Sequence, residues 1–322
     1  MYLRRFTRMA LCAFALTASL AASAQTYPDR PIRIILQYGA GSTTDVVARI
    51  VGQRLQERLG QPVIIDPRPG ANGILATEMA IKAPADGYTI LWGSSGTHAI
   101  NPAAYKKLSY DPVKDFMPVA QVGEVGFILT VRNGLPVKNL AELIALAKSK
   151  PGEISFGSAA SSSGLGGTLL EMTAGVQFNK VNYKTSPQLV TDAIGDRIDL
   201  LMDPILILDT HVKNGRVRAI GFTSKNRSSL LTQIPTVAEQ GYPEYESIGW
   251  LALFAPAGTP KAIVAKLNTE INAVVNSPDI RESLLQKGVE PRTTSPEGLE
   301  QLMKTDIIKW EKLYRDAKLE RQ

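Results

Sequence analysis

Cysteine and histidine are scarce in this sequence, and their scarcity limits its chemistry. The chain of 322 residues has one cysteine, Cys12, and two histidines, His98 and His211. A single thiol forms no internal disulfide, and there is no cysteine cluster to bind zinc or an iron–sulfur centre. The Gly-x-Ser-x-Gly, His-Glu-x-x-His and Gly-Lys-Ser/Thr motifs are also missing. We therefore expect no metal, no cofactor and no hydrolase, metalloprotease or nucleotide-binding site of these types.

The first 24 residues have the composition of an export signal. Three arginines give a positive start, residues 9–22 are uncharged and mostly apolar, and Ala22-Ser23-Ala24 offers small residues to a signal peptidase. The apolar stretch is shorter than the roughly 20 residues that span a bilayer. We expect cleavage after Ala24, which leaves a mature chain that begins at Gln25 and works outside the cytoplasm.

Loss of this segment changes the charge and the thiol content of the protein. The net charge falls from +6 to +3 because the segment carries three arginines and no acid, and Cys12 leaves with it. A nearly balanced charge does not favour nucleic acid as a partner. At roughly 300 residues, the mature chain is long enough to bury the cores of two domains.

Strand and helix patterns alternate along the mature chain, which predicts an α/β fold with mostly parallel sheets and helices on their faces. In the first part, a strand at Ile32–Leu36 precedes a helix at residues 44–59, and the last helix is expected at Pro296–Asp316 with Ser295 as its cap. We predict one lobe from residues 25–124 and 250–322, a second lobe from residues 125–249, and extended strands at both crossings.

Loops rich in glycine, serine and threonine follow three of the predicted strands, at residues 39–45, 93–98 and 157–164. In open α/β sheets, ligands bind beyond the carboxyl ends of the strands, where helix amino termini and small hydroxyls can hold an anion. Each loop alone is also explained by helix capping, with Ser42 or Thr43 as the cap and Asp45 in the first turn. Together the loops favour a ligand cleft between two lobes.

Two single residues leave alternatives open. His98 lies near Ser94 and Ser95, and this arrangement allows a secreted α/β hydrolase in which His98 and a loop serine act on a small acid or ester; no nearby acid in the sequence would orient the imidazole. Asp203 follows an apolar strand, where it would bind a ligand amine or cap the next helix.

Short motifs occur in one order through the whole mature chain. The most specific are Gly96-Thr97-His98-Ala99-Ile100-Asn101-Pro102 and Tyr110-Asp111-Pro112-Val113-Lys114-Asp115-Phe116, and others lie at residues 27–33, 41–45, 59–63, 83–89, 234–239 and 253–260. In this order they resemble the Bug family, the TctC-like extracytoplasmic receptors of tripartite tricarboxylate transporters.

The resemblance implies a fold, a function and a set of site residues. The fold would be a two-lobed, flytrap-like periplasmic binding protein of type II character, a monomer and not an enzyme. It would hold a small carboxylic acid (a di- or tricarboxylate or an aromatic carboxylate) through backbone amides, hydroxyls and waters, and deliver it to the permease subunits of the transporter. With Asp203 added from its own position, the ligand-binding residues would be Gly41, Ser42, Thr43, Thr44, Asp45, Ser94, Ser95, Gly96, Thr97, His98, Ser158, Ala159, Ala160, Ser161, Ser162, Thr185 and Ser186.

The sequence departs from the family pattern at this expected pocket. Residues 38–41 stand where the family often has Pro-Pro-Gly-Gly, residues 160–163 replace a Gly-Asn-Gly-Thr, Thr185 replaces a glycine, and Pro204 replaces an asparagine. The identity of the ligand therefore does not transfer with the family. Tyr38 would either stack on an aromatic acid or pack as an ordinary loop residue.

Overall fold

The computed structural model describes residues 27–322, so the predicted export signal and the cleavage site after Ala24 lie outside the described residues. Its first part alternates strands and helices. The elements are β1 (Ile32–Leu36), α1 (Thr43–Leu59), β2 (Val63–Pro67), α2 (Ile74–Ile81), β3 (Thr89–Ser94), α3 (Asn101–Ala104) and β4 (Phe116–Arg132).

The second part repeats the alternation, and the chain ends in helices. The elements are α4 (Leu140–Ser149), β5 (Ser155–Ser158), α5 (Ser161–Ala174), β6 (Asn179–Asn182), α6 (Ser186–Ile194), β7 (Leu200–Pro204), α7 (Ile205–Lys213), β8 (Val217–Phe222), β9 (Ile248–Pro256), α8 (Lys261–Val275), α9 (Pro278–Gln286), β10 (Val289–Pro291) and α10 (Pro296–Asp316). Among residues 27–322, no helix combines the length and the apolar character that crossing a bilayer requires.

The strands form one curled sheet in the order β2-β1-β3-β9-β4-β7-β5-β6, with β8 and β10 also paired to β4. Pairing is parallel between β1 and both β2 and β3, and between β5 and both β6 and β7. Strand β4 is antiparallel to all of its partners: its first part, from Phe116, pairs with β9 and β10, and its last part, to Arg132, pairs with β7 and β8. One continuous strand thus joins the two halves of the sheet.

Apolar periodicity explains the elements that the sequence predicted. Helix α1 buries Val47, Val51 and Leu55 on one face and ends at Gly60, which adopts a φ of 67°. At the other end of the chain, the Ser295 hydroxyl accepts a hydrogen bond from the Gly298 amide at 3.1 Å, and α10 begins at Pro296 as predicted. The expected strand β1 and helix α10 are confirmed to the residue.

The third loop is shorter than the sequence predicted. Helix α5 begins at Ser161, within the segment predicted as a loop to residue 164, and the Ser163 hydroxyl donates back to the Ala160 carbonyl at 3.0 Å. The glycines in the helix permit close packing, since a Cβ on Gly167 would lie 2.3 Å from the Phe156 ring. Ser161, Ser162 and Ser163, which were predicted to lie in a loop, therefore form the first turn of a packed helix.

Candidate functional site

A cavity of about 520 Å³ lies between the two halves of the sheet, at the carboxyl ends of β1, β3 and β7. This volume is in the usual range for small-molecule sites. Its lining consists of Tyr38, Gly39, Ala40, Gly41, Ser42, Thr43, Thr44, Ser94, Ser95, Val125, Phe127, Ala159, Ala160, Ser162, Lys184, Thr185, Ser186, Pro187, Asp203, Pro204, Ile207, Gly249, Trp250 and Leu251.

The loop after β1 presents the amino terminus of α1 to this cavity. The Ser42 hydroxyl caps the helix by accepting a hydrogen bond from the Asp45 amide at 3.2 Å. The Asp45 carboxylate accepts from the Gly41 amide and from Arg49 Nε, each at 3.0 Å. Burial raises the pKa of Asp45, but these hydrogen bonds outweigh it and lower the pKa overall. Asp45 therefore organises the loop, and the helix end beside Thr43 faces the cavity.

The end of β3 supplies two hydroxyl groups, and hydrogen bonds hold that of Ser94 in place. Gln37 Nε2 donates to the Ser94 hydroxyl at 2.6 Å, and the Gly96 amide donates to the same oxygen at 3.2 Å. Tyr38 is 38% exposed, yet its hydroxyl is buried towards Ser94, and that burial raises its pKa. The neighbouring Ser95 is buried in the cavity wall. The loop residue Tyr38 is thus anchored at its hydroxyl while part of its surface stays exposed at the cavity.

Helices α5 and α6 present their amino termini from the other side. The residues before them, Ala160 and Thr185, have extended backbones and make no capping hydrogen bond through their side chains. The first amides of each helix therefore lack a side-chain acceptor, which suits an anionic ligand group. Among the described lining residues, Lys184 is the basic side chain and Asp203 the acidic one.

Asp203 is buried in the wall of the cavity at the end of β7. The residue is 2% exposed, and its Oδ2 has no hydrogen-bond partner among the described residues, so this oxygen does not cap α7. Burial raises the pKa of Asp203 to about 7, and the Ser186 side chain partly opposes that shift. The Oδ2 atom has no partner among the described residues and lies in the cavity wall, where it is available to a ligand.

Several predicted site residues lie outside this lining: Asp45, Gly96, Thr97, His98, Ser158 and Ser161. After Ser95 the chain forms one turn of π-helix, residues 96–100, which buries Thr97 and His98 behind β3. Ser158 and Ser161 line a neighbouring cavity of about 420 Å³. As direct ligand contacts, these six residues stay predictions from the sequence.

His98 is a core residue in this structure. Its ring stacks on Phe254 with 3.8 Å between centroids, and Nδ1 lies 2.8 Å from the Thr97 hydroxyl. Burial lowers the pKa of His98 to about 3, which keeps the imidazole neutral. The hydrolase alternative required this imidazole to activate a serine at the cleft, and a ring sealed behind β3 does not support it.

The apolar part of the cavity wall is what the sequence analysis missed. Val125 and Phe127 come from β4, and Ile207 and Leu251 come from α7 and β9. The long apolar run of β4 was the available signal, although it did not indicate which strands would flank it.

Among residues 27–322, no group of three or more His, Cys, Asp or Glu side chains is placed to bind a metal ion.

Residues 47–319 match the family model of the tripartite tricarboxylate transporter family receptor, TctC. The chain belongs to this family. As a TctC receptor it is a solute-binding component of a transport system and not an enzyme, and receptors of this family are periplasmic. The resemblance seen in the sequence is thereby confirmed.

Known relatives support the same fold and class. Protein BugT of Bordetella pertussis is 35% identical over 309 residues, which cover 94% of this chain and 95% of BugT. Rpa4515 of R. palustris, solved with adipate, superposes with a TM-score of 0.85 at 34% identity and covers 92% of this chain and 100% of its own. MatC from Rhodopseudomonas palustris, solved with bound malate, gives a TM-score of 0.79 at 30% identity over 89% of this chain and 99% of MatC. The two-lobed periplasmic-binding-protein fold is therefore confirmed.

Proposed function

We propose that this receptor captures a small carboxylic acid in the 520 Å³ cavity and delivers it to the permease subunits of a tripartite tricarboxylate transporter. The observation that carries the proposal is the convergence of the amino termini of α1, α5 and α6 on one cavity. Each helix end stabilises an anion by about 0.3–1 kcal/mol, more where water is excluded. The adipate and malate complexes of the related structures support an acid as the ligand.

The residues proposed to contact the acid come from both halves of the sheet. Thr43 and Thr44 offer the first turn of α1, while Ser94 and Ser95 offer hydroxyl groups from the end of β3. From the other side, Ala160, Ser162, Thr185 and Ser186 lie at the starts of α5 and α6. This donor set holds a carboxylate without a buried arginine, so the bound acid can be released to a permease.

The two halves of the sheet are proposed to be the mobile lobes of the receptor. The lobes would comprise residues 25–124 with 250–322, and residues 125–249. Their cores support this division, since Trp92 and Trp250 are buried in the first and Leu129 and Phe156 in the second. Strand β4 passes through both and would act as the hinge of a monomeric protein.

A carboxylic acid that fits should stabilise the protein against unfolding without being consumed. At a hundredfold excess over Kd, the expected gain is about 2.7 kcal/mol. Thermal unfolding with adipate, malate, citrate and benzoate, followed by recovery of the acid, measures both properties. If none of these acids moves the unfolding transition, the proposed function fails.

Two threonines of the α6 segment provide a test variant and its control. Thr185 precedes the first residue of α6 at the cavity and makes no capping bond through its side chain, while Thr191 is exposed further along this helix. Thr185→Ala should weaken acid binding by about tenfold or more, as expected when a hydrogen bond to a charged group is lost. Thr191→Ala should leave the binding unchanged.

We further propose that the chain is exported and cleaved after Ala24. The three-part pattern of the first residues supports this proposal, since it matches what a signal peptidase recognises. The intact mass of the protein from a periplasmic extract should correspond to a chain that begins at Gln25. A mass that retains Cys12 would contradict cleavage at this site.

A further inference from the structure

The cavity has a polar end and an apolar wall, and Asp203 lies beside the apolar wall. In the sheet, Phe127 of β4 is the register partner of Pro204, the residue next to Asp203. Val125, Ile207 and Leu251 continue this wall. The surface around the carboxyl group is therefore suited to the hydrocarbon body of a ligand.

The carboxyl group of Asp203 is unusual for a site that binds acids. It lines the cavity, is 2% exposed, and leaves Oδ2 without a hydrogen-bond partner among the described residues. A buried, unpaired acceptor is unfavourable unless a ligand group pairs with it. A second carboxylate in this position would be repelled by the ionised side chain, whereas a hydroxyl or an ammonium group would donate to it.

Building on the proposed function, we propose that Asp203 determines ligand specificity by accepting a hydrogen bond from a hydroxyl or amino group on the bound acid. The ligand class that follows has a carboxylate at one end, an apolar body along the wall, and a hydrogen-bond donor at the far end. The carboxylate contacts the amino termini of α1 and α5, and the body packs on Phe127 and Ile207. The donor pairs with Asp203, which lies beside Ser186 at the start of α6. Sites that hydrogen-bond a donor strongly reject analogues that lack it.

Matched acids that differ only at the far end test this assignment. The aliphatic probes are hexanoate, 6-hydroxyhexanoate, 6-aminohexanoate and adipate, and the aromatic probes are benzoate, 4-hydroxybenzoate and terephthalate. Isothermal titration calorimetry at pH 8 gives Kd for each. In at least one series, the hydroxyl- or ammonium-ended acid should bind about tenfold to a hundredfold more tightly than the methyl-, hydrogen- or carboxylate-ended acid.

Substitution of Asp203 identifies the residue responsible. In Asp203→Asn the negative charge is gone, so the preference for 6-aminohexanoate over adipate should fall to about onefold or invert. Asp203→Ser provides a second neutral variant, with the same expectation. Asp209→Asn is the matched control, since Asp209 lies on α7 outside the lining and pairs with Lys213; it should keep the wild-type preference.

The outcomes separate this inference from the proposed function. If the wild-type protein binds methyl- or carboxylate-ended acids as tightly as donor-ended ones, the role of Asp203 is wrong while the acid receptor stands. The same conclusion follows if Asp203→Asn and Asp203→Ser keep the wild-type preference. If no probe binds at all, both the proposed function and the specificity role are contradicted.

Discussion

Asp203→Asn is expected to stabilise the ligand-free protein at pH 8 by on the order of 3 kcal/mol. Burial raises the pKa of Asp203 from 3.8 to about 7, so at pH 8 the folded protein holds an ionised carboxylate that water would solvate better. Such a shift means that burial disfavours the ionised carboxylate by roughly 4 kcal/mol. Burial of the neutral asparagine amide also costs free energy, so the net gain is smaller. The substitution should therefore raise the free energy of unfolding.

The pH dependence has a definite sign. Because the folded-state pKa of Asp203 lies above its unfolded value, the folded state binds the proton more tightly between about pH 4 and 7. The contribution of this tighter proton binding to the free energy of unfolding is complete below about pH 4 and is lost as the pH rises through about 7. The gain from Asp203→Asn should accordingly be large at pH 8 and small at pH 4.5.

Urea unfolding of the two proteins at pH 4.5 and pH 8 measures this difference. Asp209→Asn is again the control, since its partly exposed ion pair with Lys213 should contribute less than about 1 kcal/mol at either pH. An Asp203→Asn protein that is less stable than the wild type at pH 8, or that gains equally at both pH values, would contradict a buried carboxylate whose Oδ2 lacks a hydrogen-bond partner. If the expected gain is found, the wild-type aspartate lowers the stability of the protein at pH 8, as residues that are kept for function often do.

The elements that the sequence predicted are those fixed by local physics. Strand β1 is a short apolar run, and α10 has a serine cap, a proline in its first turn and apolar residues at helical spacing. An extended strand was expected at the crossing near residue 124, but the full extent of β4 was not predicted because Pro118, Gly123 and Gly126 interrupt its pattern. Its register also shifts at two places against β9, so its length depends on partners far along the chain.

The sequence also predicted part of the candidate site. Loops that follow strands point to the carboxyl edge of the sheet, and Ser42, Ser94 and Ala160 from those loops do line the cavity. What sequence spacing could not resolve is the direction of each side chain within a loop. A single turn of π-helix after Ser95 carries His98 into the core, and only the assembled sheet brings Phe127 against the cavity.

His98 should make the protein less stable as the pH falls below 6.5. Burial lowers the pKa of His98 from 6.5 to about 3, so the folded state excludes a proton that the unfolded chain binds. The contribution of neutral His98 is complete above about pH 6.5 and is lost, at up to about 1.4 kcal/mol per pH unit, as the pH falls towards 3. His98→Gln removes this loss, although it weakens packing against Phe254 at every pH.

This loss is offset in the wild-type protein by Asp203, because the two buried groups titrate with opposite signs. Between about pH 4 and 6.5, acidification removes stability through His98 and restores it through Asp203 at a similar rate. Urea unfolding across this range should therefore give a steeper loss on acidification in Asp203→Asn than in the wild type. In His98→Gln the same acidification should be more favourable than in the wild type, and in the double variant neither contribution should remain. If Asp203→Asn and the wild type show the same slope, Asp203 is not buried as these contacts imply, and an equal slope in His98→Gln and the wild type would say the same of His98.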